Sequence, residues 1–445
     1  MAKPIMGMIS LGCPKNLVDS EVMLGYLREA GFSISSKAEE CEIIVVNTCA
    51  FIDKAKEEAI ETILQMAYLK KRRRLKKLIV AGCLAERYGD EVLKLMPEVD
   101  ALLGVNQLPQ IANYCDLDGD SVPQFKPDKS RYLYDHQTPR MLTSPFYTAY
   151  IKIAEGCSHR CSYCAVPFIR GPYRSRTISS VIKEAENLAA QGVKEVNLIA
   201  QDTTSFNLDR GQKEGLSKLL RALANIEGLR WIRVLYCHPD HITFPLLETI
   251  AAEDKICPYL DIPLQHIDAK LLRMMGRRGN RSSFTHLIKT IRNIIADITL
   301  RTTFMVGFPG EGEEEFSQLL DFVEEIEFDR LGVFTFSPEK GTKAFKMGDP
   351  IAASLKEERY KRLMEMQGKI ALKKNRSLIG QRQEVLVEGS CQESLHLLQG
   401  RLASQAPEVD GRVVINQGWS QPGDFSPFII TEAYEYDLIG RLAAE

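Results

Sequence analysis

The stretch Glu155-Gly156-Cys157-Ser158-His159-Arg160-Cys161-Ser162-Tyr163-Cys164 places three cysteines in one short loop. It follows a strand-like run over residues 148–154. Zinc sites usually take cysteines in pairs separated by about two to four residues, with two further ligands elsewhere. Three thiolates in one tight loop better suit a cubane iron–sulfur cluster, in which the loop binds three irons and leaves the fourth open. A zinc knuckle or three unrelated thiols are the alternatives.

The composition narrows the class of protein. A chain of 445 residues is too long for one ordinary domain and predicts about two to four. The net charge of −2 provides no global basic field for nucleic acid. Eleven cysteines, an odd number in a long chain, argue against a secreted disulfide framework. No apolar run approaches the length of a membrane span, and we therefore expect a cytoplasmic location.

Three more cysteines follow predicted strands in the first third of the chain. The strand runs are residues 5–11, 42–47 and 78–82, and they precede Cys13, Cys49 and Cys83. Helical patterns separate the strands, which predicts a doubly wound parallel sheet. Ligands bind beyond the carboxyl ends of such strands, so these three cysteines are expected to converge as a second cluster site. Cys41 and Cys115 lack this placement and are interpreted as structural.

These motifs resemble a known family. The Cys157, Cys161 and Cys164 spacing, with Tyr163 before the last cysteine, is similar to that of the radical SAM superfamily. Three further segments resemble the methylthiotransferase family: Ser10-Leu11-Gly12-Cys13-Pro14-Lys15-Asn16-Leu17-Val18-Asp19-Ser20-Glu21, Asn47-Thr48-Cys49 and Gly82-Cys83-Leu84. The Cys-Pro-Lys-Asn sequence resembles the branch that modifies a ribosomal protein. The tRNA-modifying branch usually has Cys-Gln-Met-Asn there.

The remaining pattern supports three domains. Six strand–helix units begin at strand runs over residues 148–154, 195–200, 231–236, 259–262, 299–306 and 331–336. Six units predict a partial, open barrel, with functional groups on the loops that follow the strands. After an amphipathic helix over residues 356–374, short glycine-punctuated strands predict a small five-stranded barrel. We therefore expect a doubly wound α/β domain at 1–138, a (β/α)6 radical SAM barrel at 139–376 and an all-β TRAM domain at 377–445.

The loops after the barrel strands are candidates for binding S-adenosylmethionine (SAM). Segments 260–266 and 302–311 resemble the family's fourth and fifth strand segments. The candidate cofactor-binding residues are Tyr163, Gln201, Gln265 and Gly307. His238 and His266 lie on the same loops and are equally well explained as hydrogen-bonded structural histidines.

The resemblance implies an activity: methylthiolation at the β-carbon of an aspartate in the twelfth protein of the small ribosomal subunit. It implies two 4Fe–4S clusters, one held by Cys157, Cys161 and Cys164 and one by Cys13, Cys49 and Cys83. The resemblance also implies SAM as a cofactor and a low-potential electron donor as a partner. A radical fits this task because an aliphatic C–H bond is not acidic enough for a side-chain base. The alternatives are a tRNA adenosine methylthiotransferase and a non-enzymatic iron–sulfur protein that binds the ribosome.

The charge distribution bears on the partner. Residues 377–445 contain four arginines, no lysine and ten acids, a net charge of −6. RNA binders need cations that meet phosphates, so this tail disfavours tRNA and suits a basic protein.

The basic run over residues 70–77 is interpreted as a solvated helix end, with ribosomal RNA contact as the alternative. Arg174, Arg176, Arg277 and Arg278 are candidates for a substrate carboxylate, although at least two are expected to be solvated. The polar stretch 116–140 predicts a linker.

Overall fold

The computed structural model describes residues 3–72, 74–117, 131–391, 393–394 and 396–443. These residues form, in chain order, a parallel sheet, an open barrel and a closed barrel. This confirms the predicted α/β fold class, while the exact domain boundaries stay a prediction. No helix in the described ranges is long and apolar enough to cross a membrane.

The amino-terminal domain is a parallel sheet with helices on both faces. Its elements are β1 (Ile5–Ser10), α1 (Pro14–Glu29), β2 (Ser33–Ile34), β3 (Ile43–Thr48), α2 (Asp53–Lys71), β4 (Lys77–Gly82), α3 (Cys83–Leu95), β5 (Ala101–Leu103) and α4 (Ile111–Tyr114). The strand order is β2-β1-β3-β4-β5. Ile43 and Val45 share a core with α1, whereas Ile44 and Val46 share a core with α2. This alternation buries both faces of the strand.

The middle domain is an open barrel of six parallel strands. Its elements are β6 (Thr148–Lys152), β7 (Ala154–Glu155), α5 (Val166–Arg170), β8 (Arg174–Ser175), α6 (Ile178–Ala190), β9 (Glu195–Ile199), α7 (Gly215–Ala224), β10 (Trp231–Val234), α8 (Phe244–Ala252), β11 (Ile256–Asp261), α9 (Ala269–Met274), α10 (Arg281–Ile294), β12 (Thr299–Val306), α11 (Glu313–Ile326), β13 (Arg330–Thr335) and α12 (Ala353–Ser377). The barrel order is β13-β12-β11-β10-β9-β6, and β7 pairs separately with β8. Because the strands are parallel, their carboxyl ends meet at one rim.

The carboxy-terminal domain is a closed barrel of five strands. Its elements are β14 (Arg382–Ser390), β15 (Leu398–Leu402), β16 (Val413–Gln417), β17 (Phe425–Ala433) and β18 (Leu438–Leu442). The closed order is β14-β15-β16-β18-β17. Closure leaves no unpaired sheet edge, and eight buried residues with aliphatic or aromatic side chains fill the interior.

The open side of the middle barrel is filled by the other two domains. Tyr150, Trp231 and Tyr259 of the barrel share one apolar core with α1 and with residues of the closed barrel. Beside this core, Glu195 is buried and accepts hydrogen bonds from Arg401 at 2.6 Å and Arg233 at 3.3 Å. Burial raises the pKa of Glu195, but the two arginines outweigh it and lower the pKa to about 2. This paired charge joins the closed barrel to the open one.

The predicted linker is packed against both neighbouring domains over its second half. The side chain of Arg140 is only 9% exposed and donates to Glu21 at 2.6 Å and to Glu184 at 2.7 Å. The backbone N–H of Lys152 donates to the hydroxyl of Tyr134 at 2.9 Å. Arg140 therefore ties the amino-terminal domain to the barrel. Residues 118–130 of the predicted linker lie outside the described residues.

Candidate metal and cofactor site

The cysteine triple of the barrel lies on the loop between β7 and α5, at the carboxyl end of the first barrel strand. It consists of Cys157, Cys161 and Cys164. The loop is fixed by backbone hydrogen bonds, from Cys157 N–H to the carbonyl of Gly171 at 3.0 Å and from Ser162 N–H to that of Met275 at 2.8 Å. Cys157, Cys161 and Cys164 are partly exposed. The thiols are therefore held on a fixed backbone and are open to a ligand.

The three thiols are close enough to affect one another. Burial raises the pKa of Cys157 to about 11 and that of Cys164 to about 12, and the charge of Cys161 adds to both. Arg277 interacts with the side chains of both Tyr163 and Cys161. A metal would replace this mutual repulsion with bonds to deprotonated sulfur.

The second set of cysteines is assembled by three strands, as the sequence predicts. Cys13 immediately precedes α1, Cys49 immediately follows β3, and Cys83 begins α3. A Cβ on Gly12 would lie 2.6 Å from the Cβ of Cys49, and one on Gly82 would lie 2.2 Å from Oδ1 of Asn47. Both glycines have φ near +88°, which glycine adopts without strain. Glycine therefore permits the close approach of the strand ends.

Two buried asparagines join these strand ends. The side-chain amide of Asn16 donates to the carbonyl of Thr48 at 2.8 Å and to that of Leu11 at 3.1 Å. The amide of Asn47 donates to the carbonyl of Asn16 at 2.8 Å. Buried amide hydrogen bonds of this kind favour one arrangement, so they fix the relative positions of the cysteines, although Oδ1 of Asn47 is buried without a partner among the described residues.

Two cations face the amino-terminal cysteines. Burial raises the pKa of Cys13, but the charges of Lys15 and Arg170 outweigh it and lower the pKa overall. Burial raises the pKa of Cys83 to about 12 against the attraction of Arg170. The guanidinium of Arg170 lies 3.5 Å from the sulfur of Cys83. Positive charge of this kind favours thiolate ligands.

The spacing of the thiols fits a cluster better than a single zinc ion. Tetrahedral zinc with bonds of about 2.3 Å places its sulfur ligands about 3.8 Å apart. Within the described ranges, neither cysteine triple brings its three ligand atoms within 4.8 Å of one another, and the one group that does so is made of histidines. A cluster attaches each thiolate to a different iron and so accepts wider spacing. Each set therefore has the thiolate donors that an iron–sulfur cluster takes.

A buried charge network lies between the two sites. We call it the junction and define it as Asp19, Lys152, Glu155 and Arg170. Arg170 donates to Asp19 at 2.8 Å and to Glu155 at 3.2 Å, and Lys152 donates to Glu155 at 2.6 Å and also to Asp19. Because Arg170 also contacts Asn16 at 2.6 Å, the junction connects the second cysteine set to the first barrel strand.

A histidine group beside the first loop was not predicted from the sequence. Asp202, buried after β9, accepts hydrogen bonds from His159 at 2.7 Å and His241 at 2.9 Å. Burial raises the pKa of Asp202, but these two bonds hold it well below its usual range. The rings of His159 and His238 stack with centroids 4.0 Å apart. His159 belongs to the cysteine loop, and His238 lies on one of the loops that follow the barrel strands. The sequence pattern did not predict that their side chains contact each other.

The four predicted SAM-binding residues lie at the rim with different surroundings. Tyr163 is buried in the barrel core. Gln201 donates to Glu155 at 2.9 Å, and its Oε1 is buried without a partner among the described residues. Gln265 has φ of +72° and bridges to β12. A Cβ on Gly307 would lie 2.4 Å from Cγ of Lys356. Their role in binding SAM stays a prediction.

The two histidines noted as alternatives share one local geometry. Nδ1 of His238 accepts from the N–H of Asp240 at 3.3 Å, and Nδ1 of His266 accepts from that of Asp268 at 3.0 Å. Burial lowers the pKa of His238 to about 2 and that of His266 to about 4. Both rings are therefore neutral and carry their proton on Nε2, and Nε2 of His266 is buried without a partner among the described residues.

The expectation that at least two of four arginines are solvated is wrong. Arg278 is exposed, but Arg174 and Arg277 are partly buried and Arg176 is buried. Arg176 forms a short ion pair with Glu184, which removes it as a candidate for the substrate carboxylate. The guanidinium of Arg176 is enclosed between the carbonyl of Lys152 and the hydroxyl of Ser180, to which it donates.

The basic run is largely neutralised within its own domain. Lys70 pairs with Asp100 at 2.5 Å, Lys71 with Glu98 at 3.2 Å and Lys76 with Glu42 at 2.5 Å. Arg73 lies outside the described residues. The pairing supports the interpretation of this run as a helix end.

Three family models match the chain in succession. Residues 6–104 match the uncharacterized protein family UPF0004, residues 151–323 match the radical SAM superfamily and residues 379–443 match the TRAM domain.

The chain is similar along nearly all its length to curated proteins named ribosomal protein uS12 methylthiotransferase RimO. It is 49% identical to that of Syntrophotalea carbinolica, over 98% of this chain and 96% of the relative. It is 47% identical to that of Geobacter sulfurreducens, over 99% of each chain. Among solved structures, the radical S-adenosylmethionine methyltransferase TsrM from Kitasatospora setae matches with a TM-score of 0.53 and 17% identity, over 75% of each chain. This last likeness concerns the fold alone.

Proposed function

Because the chain belongs to the family of uS12 methylthiotransferases of the RimO type, we propose that it methylthiolates ribosomal protein uS12 at the β-carbon of an aspartate. The observation that supports this most is the convergence of two cysteine triples, from two domains, on one charged junction. An enzyme that breaks a C–H bond and then adds sulfur to the same carbon needs the groups for both steps within reach of that carbon.

We assign the six cysteines to two 4Fe–4S clusters. Cys157, Cys161 and Cys164 would hold the cluster that works with SAM, and the other three would hold the cluster that provides sulfur. When bound, these groups supply the radical that breaks an unactivated C–H bond and the methylthio group that replaces the hydrogen. The protein supplies binding, orientation and a site shielded from water.

The residues at the rim have separate tasks in this proposal. Tyr163, Gln201, Gln265 and Gly307 would position SAM. The unpartnered Oε1 of Gln201 offers an acceptor for an incoming donor, because a buried polar atom without a hydrogen bond is costly. The junction would hold the two cysteine sites at a fixed distance, since its charges are mutually paired and buried.

The proposed partners follow from charge. The acidic carboxy-terminal domain would bind uS12. Of its four arginines, Arg401 is buried in an ion pair with Glu195. A low-potential electron donor completes the system, and the reaction would take place in the cytoplasm. tRNA is disfavoured as the substrate because few cations remain on this surface.

Anaerobic incubation of the reconstituted protein with SAM, a reductant and purified uS12 tests the proposal. We expect 5′-deoxyadenosine and a uS12 product in which mass spectrometry finds one methylthio group on one aspartate. A parallel reaction with bulk tRNA is expected to give no methylthiolated nucleoside. Modified tRNA with unmodified uS12 would favour the other branch, and the absence of 5′-deoxyadenosine would favour a non-enzymatic iron–sulfur protein.

A further inference from the structure

The charges between the two cysteine sites are paired, with one exception. In the junction, two buried carboxylates, Asp19 and Glu155, face two buried cations, Lys152 and Arg170. Each cation contacts both carboxylates. Such a set is electrically balanced and needs no further ion.

Lys15 is the exception. Its side chain is buried, with 8% of the residue exposed. Its ammonium lies 3.2 Å from the ring centroid of Tyr236. In the described part of the chain, no ion pair or hydrogen bond occupies this ammonium. The thiolate of Cys13 attracts it most strongly, and Asp261 and Glu155 do so beyond ion-pair distance. A cation–π contact supports a positive charge without neutralising it.

The position of Lys15 is as informative as its charge. It lies two residues after Cys13, whose thiol it attracts electrostatically. Tyr236, which carries the ammonium on its face, stands at the carboxyl end of β10, two residues before His238. His238 in turn stacks on His159 of the first cysteine loop. Lys15 is therefore linked to both cysteine triples, through Cys13 on one side and through Tyr236, His238 and His159 on the other.

We propose that Lys15 binds the carboxylate of the substrate side chain and so selects an acidic residue for modification. The inference rests on the proposed function and names the group that recognises its target. A buried ammonium without an ion-paired carboxylate is unfavourable, and an entering carboxylate would supply that partner and a charge-assisted hydrogen bond. Because Lys15 is buried, that bond would form out of water, where it discriminates strongly against a neutral amide.

The competing role for Lys15 is to stabilise only the thiolate of Cys13 and its cluster. That role predicts a loss of iron when the charge is removed and no change in substrate preference. Selection of a carboxylate predicts the reverse, so the two roles separate in one experiment.

The test compares Lys15→Met, Lys15→Arg and a matched control, Lys3→Met, in the anaerobically reconstituted full chain. Lys3 also places its ammonium over a ring, that of Phe32 at 4.6 Å, but it precedes the amino end of β1, whereas Cys13 follows the carboxyl end of that strand. The probes are uS12 and a uS12 variant with the target aspartate replaced by asparagine. Calorimetry gives the dissociation constants, mass spectrometry the product and a colorimetric assay the iron.

Wild-type protein and the Lys3→Met control are expected to bind aspartate uS12 at least about tenfold more tightly than the asparagine form. Lys15→Met is expected to lose this preference with its iron content retained, and Lys15→Arg to recover part of it. A Lys15→Met protein that keeps the preference, with or without loss of iron, would overturn the inference. If wild-type protein leaves aspartate uS12 unmodified, the proposed function fails, while the binding preference still decides the role of Lys15.

Discussion

The two cysteine triples differ in how the chain assembles them. Cys157, Cys161 and Cys164 come from one loop that backbone hydrogen bonds attach to the barrel. Cys13, Cys49 and Cys83 come from three strand ends joined by Asn16 and Asn47. One site is local in sequence, and the other exists only when a whole domain is folded.

Their electrostatic surroundings differ as well. The barrel loop has Arg277 beside Cys161, and burial is the largest influence on the pKa values of Cys157 and Cys164. The amino-terminal set faces both Lys15 and Arg170. Cations stabilise the anionic form of a thiolate-bound group. The comparison teaches that the two sites are built for different tasks, one open to a cofactor and one held at a charged domain boundary.

The largest expected effect comes from removing the local site. A variant with Cys157, Cys161 and Cys164 all replaced by alanine is expected to lose SAM cleavage and to keep about half of the iron, since the other triple is independent. Iron and sulfide assays after anaerobic reconstitution measure this. A Cys391→Ala protein, which loses a lone buried cysteine of the closed barrel, serves as the control and should keep all its iron. Full iron in the triple variant, or zinc in its place, would contradict two separate clusters.

The second effect is on stability and concerns the boundary between the sites. Arg170→Met leaves Asp19 and Glu155 with Lys152 as their remaining cationic partner, and breaking a buried ion pair in this way costs about 3–5 kcal/mol. Urea unfolding of the metal-free protein, followed by circular dichroism, measures the change.

The control for this variant is an exposed pair that also joins two domains. Arg230 lies 2.5 Å from Glu384, and both side chains are about half exposed. Arg230→Met is therefore expected to cost less than about 1 kcal/mol. Equal costs for the two variants would mean that the junction does not hold the two sites together.

The smallest effect tests the acidic carboxy-terminal surface. Glu432 and Glu435 are exposed, whereas Asp437 accepts a hydrogen bond from the backbone of Arg412 at 3.0 Å and is better left intact. Glu432→Lys with Glu435→Lys should slow association with basic uS12, an effect that weakens as salt rises, because rim charges act mainly on the association rate. Stopped-flow binding at low and moderate salt measures it. Faster capture of uS12 by the variant would exclude electrostatic steering by this surface.

The sequence predicted what local patterns determine. The strand β12 was predicted at its observed bounds. The spacing of Cys157, Cys161 and Cys164 was enough to predict a metal-binding loop. The convergence of Cys13, Cys49 and Cys83 was predicted because parallel strands end at one edge. These are consequences of periodicity and topology.

Contacts between distant segments were not predicted. Asp202 binds His159 and His241 from separate loops, and Arg140 bridges two domains from a stretch that resembled a linker. Lys15 was part of a quoted motif, but its missing partner is visible only when its surroundings are known. Such pairings depend on side-chain directions in the packed chain, which spacing along the sequence does not contain.

The central claim is that the two cysteine sites divide one reaction between them, and Cys49→Ala tests it most directly. Cys49 belongs to the set assembled by strand ends, outside the loop that would bind SAM. Anaerobic incubation of this variant with SAM, reductant and uS12 is measured by quantifying 5′-deoxyadenosine and methylthiolated uS12 in the same sample. The account predicts that 5′-deoxyadenosine still forms while the methylthiolated product is absent. Loss of 5′-deoxyadenosine in a variant that keeps the iron of the barrel site, or normal yield of methylthiolated uS12, would contradict it.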